Sequence, residues 1–367
     1  MIRLIKPYIV FDDIEAEFRE IFESGWFTRG RHVAAFSEEI GRYTGARHVF
    51  LTTSATTALW MCLRLMKIGP GDEVIVSDFS FPATANVVED VGATPVFADV
   101  SLETFNMPPE ELERKITPRT RAVIFVDAFG NPSGIHTIRE ICRKHGIPLV
   151  EDAACAIGSS EDGVRCGNIA DLTCFSFHPR KLLTTGEGGA ITTNRDVWAK
   201  QLEIKLAHGA VPENGKTDFV DYGYNFRLTE LQAVMGIKQL AKLDDIVRDR
   251  NLTRDAYIRD LEPLGFLSQR TTPGVVHNVQ SLVFLVPAGS NRDALIHCLK
   301  QRGVETTLGT YCLSGTNYYR RVYGDVQPNS MRLQESTVTL PCFKGVDVAQ
   351  VHAAIRAVVD ACGKERS

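Results

Sequence analysis

Several things are missing from this 367-residue sequence. None of its nine cysteines forms a Cys-x-x-Cys pair. Several of them (Cys62, Cys142, Cys174, Cys298) stand in apolar surroundings, where a thiol behaves as a small hydrophobe. That usage offers neither a zinc framework nor a disulfide scaffold, so no metal is expected and a reducing cytoplasm is the expected compartment. A basic excess is also lacking. The formal net charge of −4 argues against a general nucleic-acid partner. No apolar run reaches the length of a membrane span. The opening Met1-Ile-Arg-Leu-Ile-Lys6 has no long apolar core or small-residue cleavage site of a secretion signal. Neither nucleic acid nor membrane is expected as a partner, and no internal repeat or low-complexity linker interrupts the chain.

What is present is an ordinary globular balance, with 44% apolar and 23% charged residues. The length suits two domains, or one large domain with an appendage. Ile14, Phe18, Ile21 and Phe22 recur at helical spacing after Asp12, and a second helix is expected from about Val33 to Tyr43. A regular alternation follows. Strands are expected at 48–52, 73–77, 94–98, 121–126 and 147–150, with helices at 55–66, 82–91, 109–116 and 135–145 between them. Strand, helix, strand at this spacing means βαβ crossovers and a mostly parallel sheet flanked by helices. Helices are expected again at about 195–207, 228–236 and 240–261. Beyond Glu262-Pro-Leu-Gly265, a strand at 281–286, a helix at 292–302, an irregular stretch and a helix at 348–362 suggest a smaller α/β domain. The expected division is 1–245 and 246–367, with the N-terminal helices free to pack on the smaller part.

The stretch Asp171–Gly189 organises the rest. Leu172 to Phe177 reads as a buried strand, Pro179 breaks it, Lys181 follows, and Gly186-Glu187-Gly188-Gly189 allows a tight backbone path before the next apolar run. Desolvation disfavours a charged lysine, and a neutral amine can attack a carbonyl. The plainer reading is a surface lysine on a loop.

In an open parallel sheet, ligands gather beyond the carboxyl ends of the strands. There this sequence places Thr53-Ser-Ala-Thr-Thr57 before a helix, Phe81 after the strand 73–77, Glu151-Asp152 at a strand end, and Ser176 with Lys181. Each has a bland alternative: helix N-caps at 53–57, a hydrophobic staple at Phe81, a loop cap at Asp152. Together they form the set that pyridoxal phosphate needs. A lysine forms the Schiff base, a carboxylate pairs with the pyridinium nitrogen, an aromatic covers the ring and a helix end takes the phosphate.

The chain resembles the DegT/DnrJ/StrS family of sugar aminotransferases, of the aspartate-aminotransferase-like fold. The resemblance runs from about Ser24 to Leu243. Its marks are Ser24-Gly-Trp-Phe-Thr-Arg-Gly30, Gly69-Pro-Gly-Asp-Glu-Val74, Gly92-Ala-Thr-Pro-Val96, Glu151-Asp-Ala-Ala154, Phe175-Ser-Phe177 with Lys181 and Gly186-Glu-Gly-Gly189, His208-Gly209, and Gly223-Tyr-Asn-Phe-Arg-Leu-Thr-Glu-Leu-Gln232. It implies a fold-type-I transferase that depends on pyridoxal phosphate, with pyridoxamine phosphate as its intermediate form. Lys181 would be the catalytic amine, Asp152 the partner of the pyridinium nitrogen and Phe81 the ring cover. Ala55, Thr56 and Ser176 would hold the phosphate. Asn225 would reach a phosphate across a homodimer interface, and Trp26, His178 and Arg227 are candidate substrate contacts. For Asn225 and Arg227, a turn followed by a helix cap is the alternative.

The sequence departs from the family pattern at several points. Cys155 stands where the family usually has a Gln that bonds the cofactor's phenolic oxygen, and a thiol is a weak donor. Ser54-Ala55-Thr56 replaces Asn-Gly-Thr. Asp127 occupies a position often held by His, and 309–319 lacks the His-Tyr pair of nucleotide-sugar members. A dehydrating branch that replaces the lysine with histidine is set aside, because Lys181 is present. The expected activity is transfer of an amino group, with glutamate as donor, to a nucleotide-linked keto-sugar, in amino-sugar biosynthesis. A cyclitol or other non-nucleotide ketone is the alternative acceptor. An intact Lys181 and Asp152 argue against a non-catalytic binding or regulatory protein of the same fold.

Overall fold

A computed structural model describes residues 1–364. The alternating strands close into one seven-stranded sheet. Its spatial order is His48–Thr52, Gly189–Thr193, Leu172–Ser176, Leu149–Asp152, Thr120–Val126, Glu73–Ser77, Thr94–Ala98. All pairs from Leu172–Ser176 to Thr94–Ala98 are parallel, and Gly189–Thr193 alone runs against the rest. The segment 177–188 that precedes it contains no helix, so the chain turns back beside the strand it has just left.

Both faces of the sheet are covered, which is why its strands read as unbroken apolar runs. Val74 and Val76 point to one face, in a core shared with α3 (Ala55–Leu65), α4 (Ala83–Asp90) and α7 (Asp196–Lys205), while Ile75 points to the other. The second face is covered by α5 (Pro109–Lys115) and α6 (Ile135–His145). Phe175 and Ala190 extend the core toward α2 (Arg31–Thr44) and α8 (Glu230–Leu240). There Gly236 lies inside a helix at a cost of about 1 kcal/mol relative to Ala. A Cβ on it would stand 2.2 Å from the ring of Phe36, which is fully buried. The N-terminal helices α1 (Glu15–Ser24) and α2 pack on α8, while Ile2 bridges to Val304.

Helix α9 (Leu243–Leu261) joins two cores: Leu243, Ile246 and Val247 enter the first, Tyr257 and Leu261 the second. The second core lies on a four-stranded antiparallel sheet, ordered Leu267–Ser268, Leu282–Leu285, Thr337–Leu340, Thr307–Leu308. The stretch expected to be irregular holds helices Asn317–Tyr323 and Pro328–Ser336 and the strand Thr337–Leu340. That strand follows its helix without a turn residue, so the sequence carries no punctuation to mark it. A hairpin, Ala210–Glu213 with Lys216–Phe219, was also not anticipated. Its Asn214-Gly215 turn has both φ angles positive, a strong local signal for two paired strands. None of the described helices is long and apolar enough to cross a membrane.

Candidate active site

The strand ends converge on one edge of the large sheet. Thr52, Gly189 and Ser176 are register partners across three adjacent strands, so Ser176 lies about 10 Å from the entry to α3, two strand spacings away. Ser54 caps that helix: its hydroxyl accepts from Thr57 N at 3.1 Å, and Thr57 Oγ1 accepts from Ser54 N at 3.1 Å. The capping reading of 53–57 therefore holds for Ser54 and Thr57. It leaves the N–H groups of Ala55 and Thr56, the first two of the helix, outside the intrahelical ladder and available to an anion. Gly189 keeps this approach open. A Cβ on it would come within 2.7 Å of Ser54 O and 2.8 Å of Ala55 N, both rigid backbone atoms.

Asp152 ends its strand with its side chain buried. Thr84 Oγ1 donates to Oδ2 at 2.8 Å and Ala154 N to Oδ1 at 3.3 Å. Burial pushes its carboxyl above the ordinary range, while those two donors and the charge of Lys181 pull it back. Lys181 follows a tight turn in which its N–H donates to His178 O at 2.8 Å. Its side chain is half-buried, and Nζ donates to Cys155 Sγ at 3.1 Å. The structure thus brings Lys181, Cys155 and Asp152 together.

Phe81 is 66% exposed. The staple reading fails there, because the residue four positions into α4 is Asn86 and offers no apolar partner. The ring faces Tyr311 at a centroid distance of 6.5 Å. It is tied to the site through Ser80, whose hydroxyl meets Thr84 Oγ1 at 2.8 Å. His178 lies on the Lys181 loop with Nε2 3.9 Å from Glu187 Oε1, and burial holds its imidazole below its usual value.

Trp26, Asn225 and Arg227 lie elsewhere on the chain. The segments carrying them are joined by the Thr28–Thr229 bridge and by Glu230, whose carboxylate accepts from Gly30, His32 and Val33 N–H groups at the start of α2. Thr229, not Asn225 or Arg227, caps α8. Trp26 and Asn225 are exposed. Arg227 lines a groove of about 740 Å3 with Arg29 and His208, and neither Lys181 nor Asp152 lines that groove. Among the described residues, no hydrogen bond or ion pair joins these three to Lys181 or Asp152.

Sequence reasoning passed over three supports. Thr84 holds Asp152. Gln280 accepts from Leu182 N at 2.7 Å and donates to Arg180 O at 2.8 Å, bracketing Lys181. Asn278 donates to Cys155 O at 2.8 Å. The only signal for the last two was a polar run, His277-Asn-Val-Gln280, ahead of a buried strand.

A buried carboxylate beside an amine, an open helix N-terminus and an uncovered ring fit pyridoxal phosphate. Comparison with known proteins gives the same answer. Residues 10–359 match the DegT/DnrJ/EryC1/StrS aminotransferase family, well past Leu243 where the resemblance was expected to thin. The chain is 33% identical to the spore coat polysaccharide biosynthesis protein SpsC of Bacillus subtilis (strain 168), over 96% of this chain and 95% of that protein. Among solved structures it is similar to the aminotransferase TlmJ from Streptoalloteichus hindustanus, with 30% identity, a TM-score of 0.93, and coverage of 99% of this chain and 100% of that one. A putative sugar aminotransferase, Spr1654 from Streptococcus pneumoniae, solved in its PMP-form, has 26% identity, a TM-score of 0.93, and coverage of 98% and 100%. The chain belongs to the DegT/DnrJ/EryC1/StrS aminotransferase family and is a pyridoxal-phosphate-dependent aminotransferase of fold type I.

Proposed function

We propose that this enzyme moves an amino group from L-glutamate to a keto-sugar linked to a nucleotide, working as a homodimer in the cytoplasm. The observation that carries this reading is the placement of the Lys181 amine at Cys155, close enough for its charge to act on buried Asp152. Pyridoxal phosphate, when bound, supplies the reactive carbonyl and the electron sink. Lys181 would provide the amine that holds it and, once released, the base that moves a proton at the substrate carbon bearing nitrogen. Asp152 would pair with the ring nitrogen and keep it protonated. Ala55 and Thr56 N–H groups with the Ser176 hydroxyl would hold the phosphate, and Phe81 would cover the ring. His178, Trp26 and Arg227 would contact substrate, and Asn225 would reach a phosphate across the dimer interface. The working division is a cofactor-binding part, 1–245, and a smaller part, 246–367.

Similarity to a spore coat polysaccharide biosynthesis protein and to a putative sugar aminotransferase supports a sugar acceptor. The test is a panel of nucleotide-linked keto-sugars and cyclitol ketones, scored by amino transfer from glutamate. Transfer to a nucleotide-linked sugar is expected. Amination of cyclitol ketones alone would overturn the acceptor, and a panel silent with glutamate but active with another amino acid would overturn the donor.

A further inference from the structure

A second cluster of acids lies beside Asp152, and the transfer chemistry above makes no use of it. Asp127 follows the strand Thr120–Val126, and Glu151 precedes Asp152 on the adjacent strand. Both are fully buried, and one oxygen of each lies within 4.8 Å of the other and of Cys166 Sγ. Their bonding is lopsided. Glu151 Oε2 accepts from Thr173 Oγ1 at 2.6 Å and from Gly167 N at 3.1 Å. Glu151 Oε1 and both oxygens of Asp127 have no donor at all. Among the described residues neither acid forms an ion pair, so no cation offsets them.

Two buried carboxylates facing each other without a counter-charge cannot both stay ionised. One proton resolves the geometry. As a neutral acid, Asp127 has an O–H to donate, and Glu151 Oε1 is the acceptor without a partner. The proton belongs on Asp127 because Glu151 collects two strong donors, Thr173 and Gly167, that favour its anion, whereas Asp127 has only the weak Cys166 thiol beside it, which Glu151 shares. The other groups facing the pair agree with this. Cys166 and Cys174 are buried thiols held neutral by burial and by these acids, Thr173 is a neutral donor, and Asp152 adds a further negative charge. Lys181 is the nearby cation, and its charge falls on Asp152.

We infer that Asp127 and Glu151 share one proton at neutral pH, resident on Asp127, and that the neutral acid serves as a positioning residue for Asp152. The link between them is short: Asp127 N donates to Asp152 O at 3.2 Å, and Val126 is the register partner of Asp152. An ionised Asp127 would place a third carboxylate at this strand end and raise the proton affinity of Asp152, which must remain an anion to serve the cofactor nitrogen. Burial, then the charges of Glu151 and Asp152, push Asp127 well above the ordinary carboxylate range.

The test is infrared spectroscopy of the full-length holoenzyme at pH 8. Wild type should show the carbonyl stretch of one neutral carboxylic acid that Asp127→Asn lacks. Asn keeps an N–H donor toward Glu151, so this variant retains the local bonding. Glu151→Gln should abolish the same band although Asp127 is intact, because the Gln amide can donate to an ionised Asp127. No neutral-acid band in wild type, a band that survives in Asp127→Asn, or a bound divalent cation lost with Asp127 would overturn the shared proton. The link to Asp152 rests on the role proposed for that residue and has its own readout. In Glu151→Gln, where Asp127 is ionised beside Asp152, the pH midpoint of the cofactor's visible absorbance should be displaced, whereas in Asp127→Asn, whose side chain is uncharged like the neutral acid, it should follow wild type. A midpoint unmoved in Glu151→Gln would break the link to Asp152 while leaving the infrared result intact.

Discussion

Lys181 Nζ donates to Cys155 Sγ across 3.1 Å, so the family's usual amide at this position is replaced by a sulfur within reach of the lysine amine. Asn278 fixes Cys155 from the other side by bonding its carbonyl at 2.8 Å. A thiol is a weak donor, whereas Gln offers two strong N–H donors and a carbonyl. Cys155→Gln should therefore strengthen hydrogen bonding to the cofactor's phenolic oxygen and favour its charged form. The expected result is a displaced pH midpoint of the visible absorbance, with the protein still yellow. An unchanged midpoint would remove Cys155 from the phenolic side of the ring.

Two buried groups, Asp78 and His277, titrate in one pH window with opposite effects. Burial pushes the Asp78 carboxyl up to about 6, despite donors from Ser314 N at 2.7 Å, Ser314 Oγ at 2.9 Å and Cys312 Sγ at 3.1 Å. Burial pushes the His277 imidazole down to about 4. Between the unfolded carboxyl value of about 3.9 and 6, native Asp78 keeps a proton that the unfolded chain loses. Its stabilisation is present at low pH and lost as pH rises through 6. His277 does the reverse: its stabilisation is present above an unfolded value of about 6.5 and lost as pH falls through 4. In wild type the two slopes offset. Asp78→Asn should expose the His277 slope, so that between pH 7 and 4 the variant loses about 2–3 kcal/mol relative to wild type. Thermal midpoints of both proteins across that range would show it, and parallel curves would refute it.

The parallel sheet was legible because its strands, buried on both faces, stand out as apolar runs between amphipathic helices. Lys181 and Asp152 were legible because one comes soon after such a run and the other ends one, so the strands deliver them to the ligand edge, whereas Cys155 was legible only through the family resemblance. Thr84 was not, since a Thr in the first turn of a helix has no local mark that it serves an acid on another strand. Gln280 and Asn278 were hidden for a related reason: their partners, Leu182 and Cys155, lie about a hundred residues earlier, and only the docking of the second core brings them near. The strand Thr337–Leu340 was lost because β-pattern reading needs a boundary signal, and its helix runs straight into it.

Asn225 is exposed, and among the described residues no hydrogen bond joins it to Lys181 or Asp152, as expected if it serves the cofactor phosphate of a partner subunit. If each site takes Lys181 from one subunit and Asn225 from its partner, Lys181→Ala and Asn225→Ala should complement each other. Each alone should be nearly inactive. When they are mixed, unfolded and refolded together, half the dimers pair one of each, and one of their two sites is intact, giving roughly a quarter of wild-type activity. A mixture no better than its components would place Asn225 and Lys181 in the same subunit's site, or Asn225 outside it.

Arg250 is buried and spends its guanidinium on carbonyls, donating to Val279 O at 2.7 Å, Gln280 O at 2.9 Å and Cys342 O. Val279 has φ +55°, a conformation unfavourable for a β-branched residue, which persists only where its surroundings enforce it. Arg250 supplies that enforcement, and the next side chain, Gln280, brackets Lys181 through Leu182 N and Arg180 O. Strain in the second core thus sets the path of the lysine loop in the first. Arg250→Met would leave three buried carbonyls without donors and should cost about 3–5 kcal/mol of stability. Gln280→Ala should cost less, about 1–3 kcal/mol, yet lower kcat by loosening the Lys181 loop. Chemical denaturation and steady-state kinetics on both variants separate the two effects. A Gln280→Ala enzyme with wild-type kcat would show that the loop holds its course without this clamp.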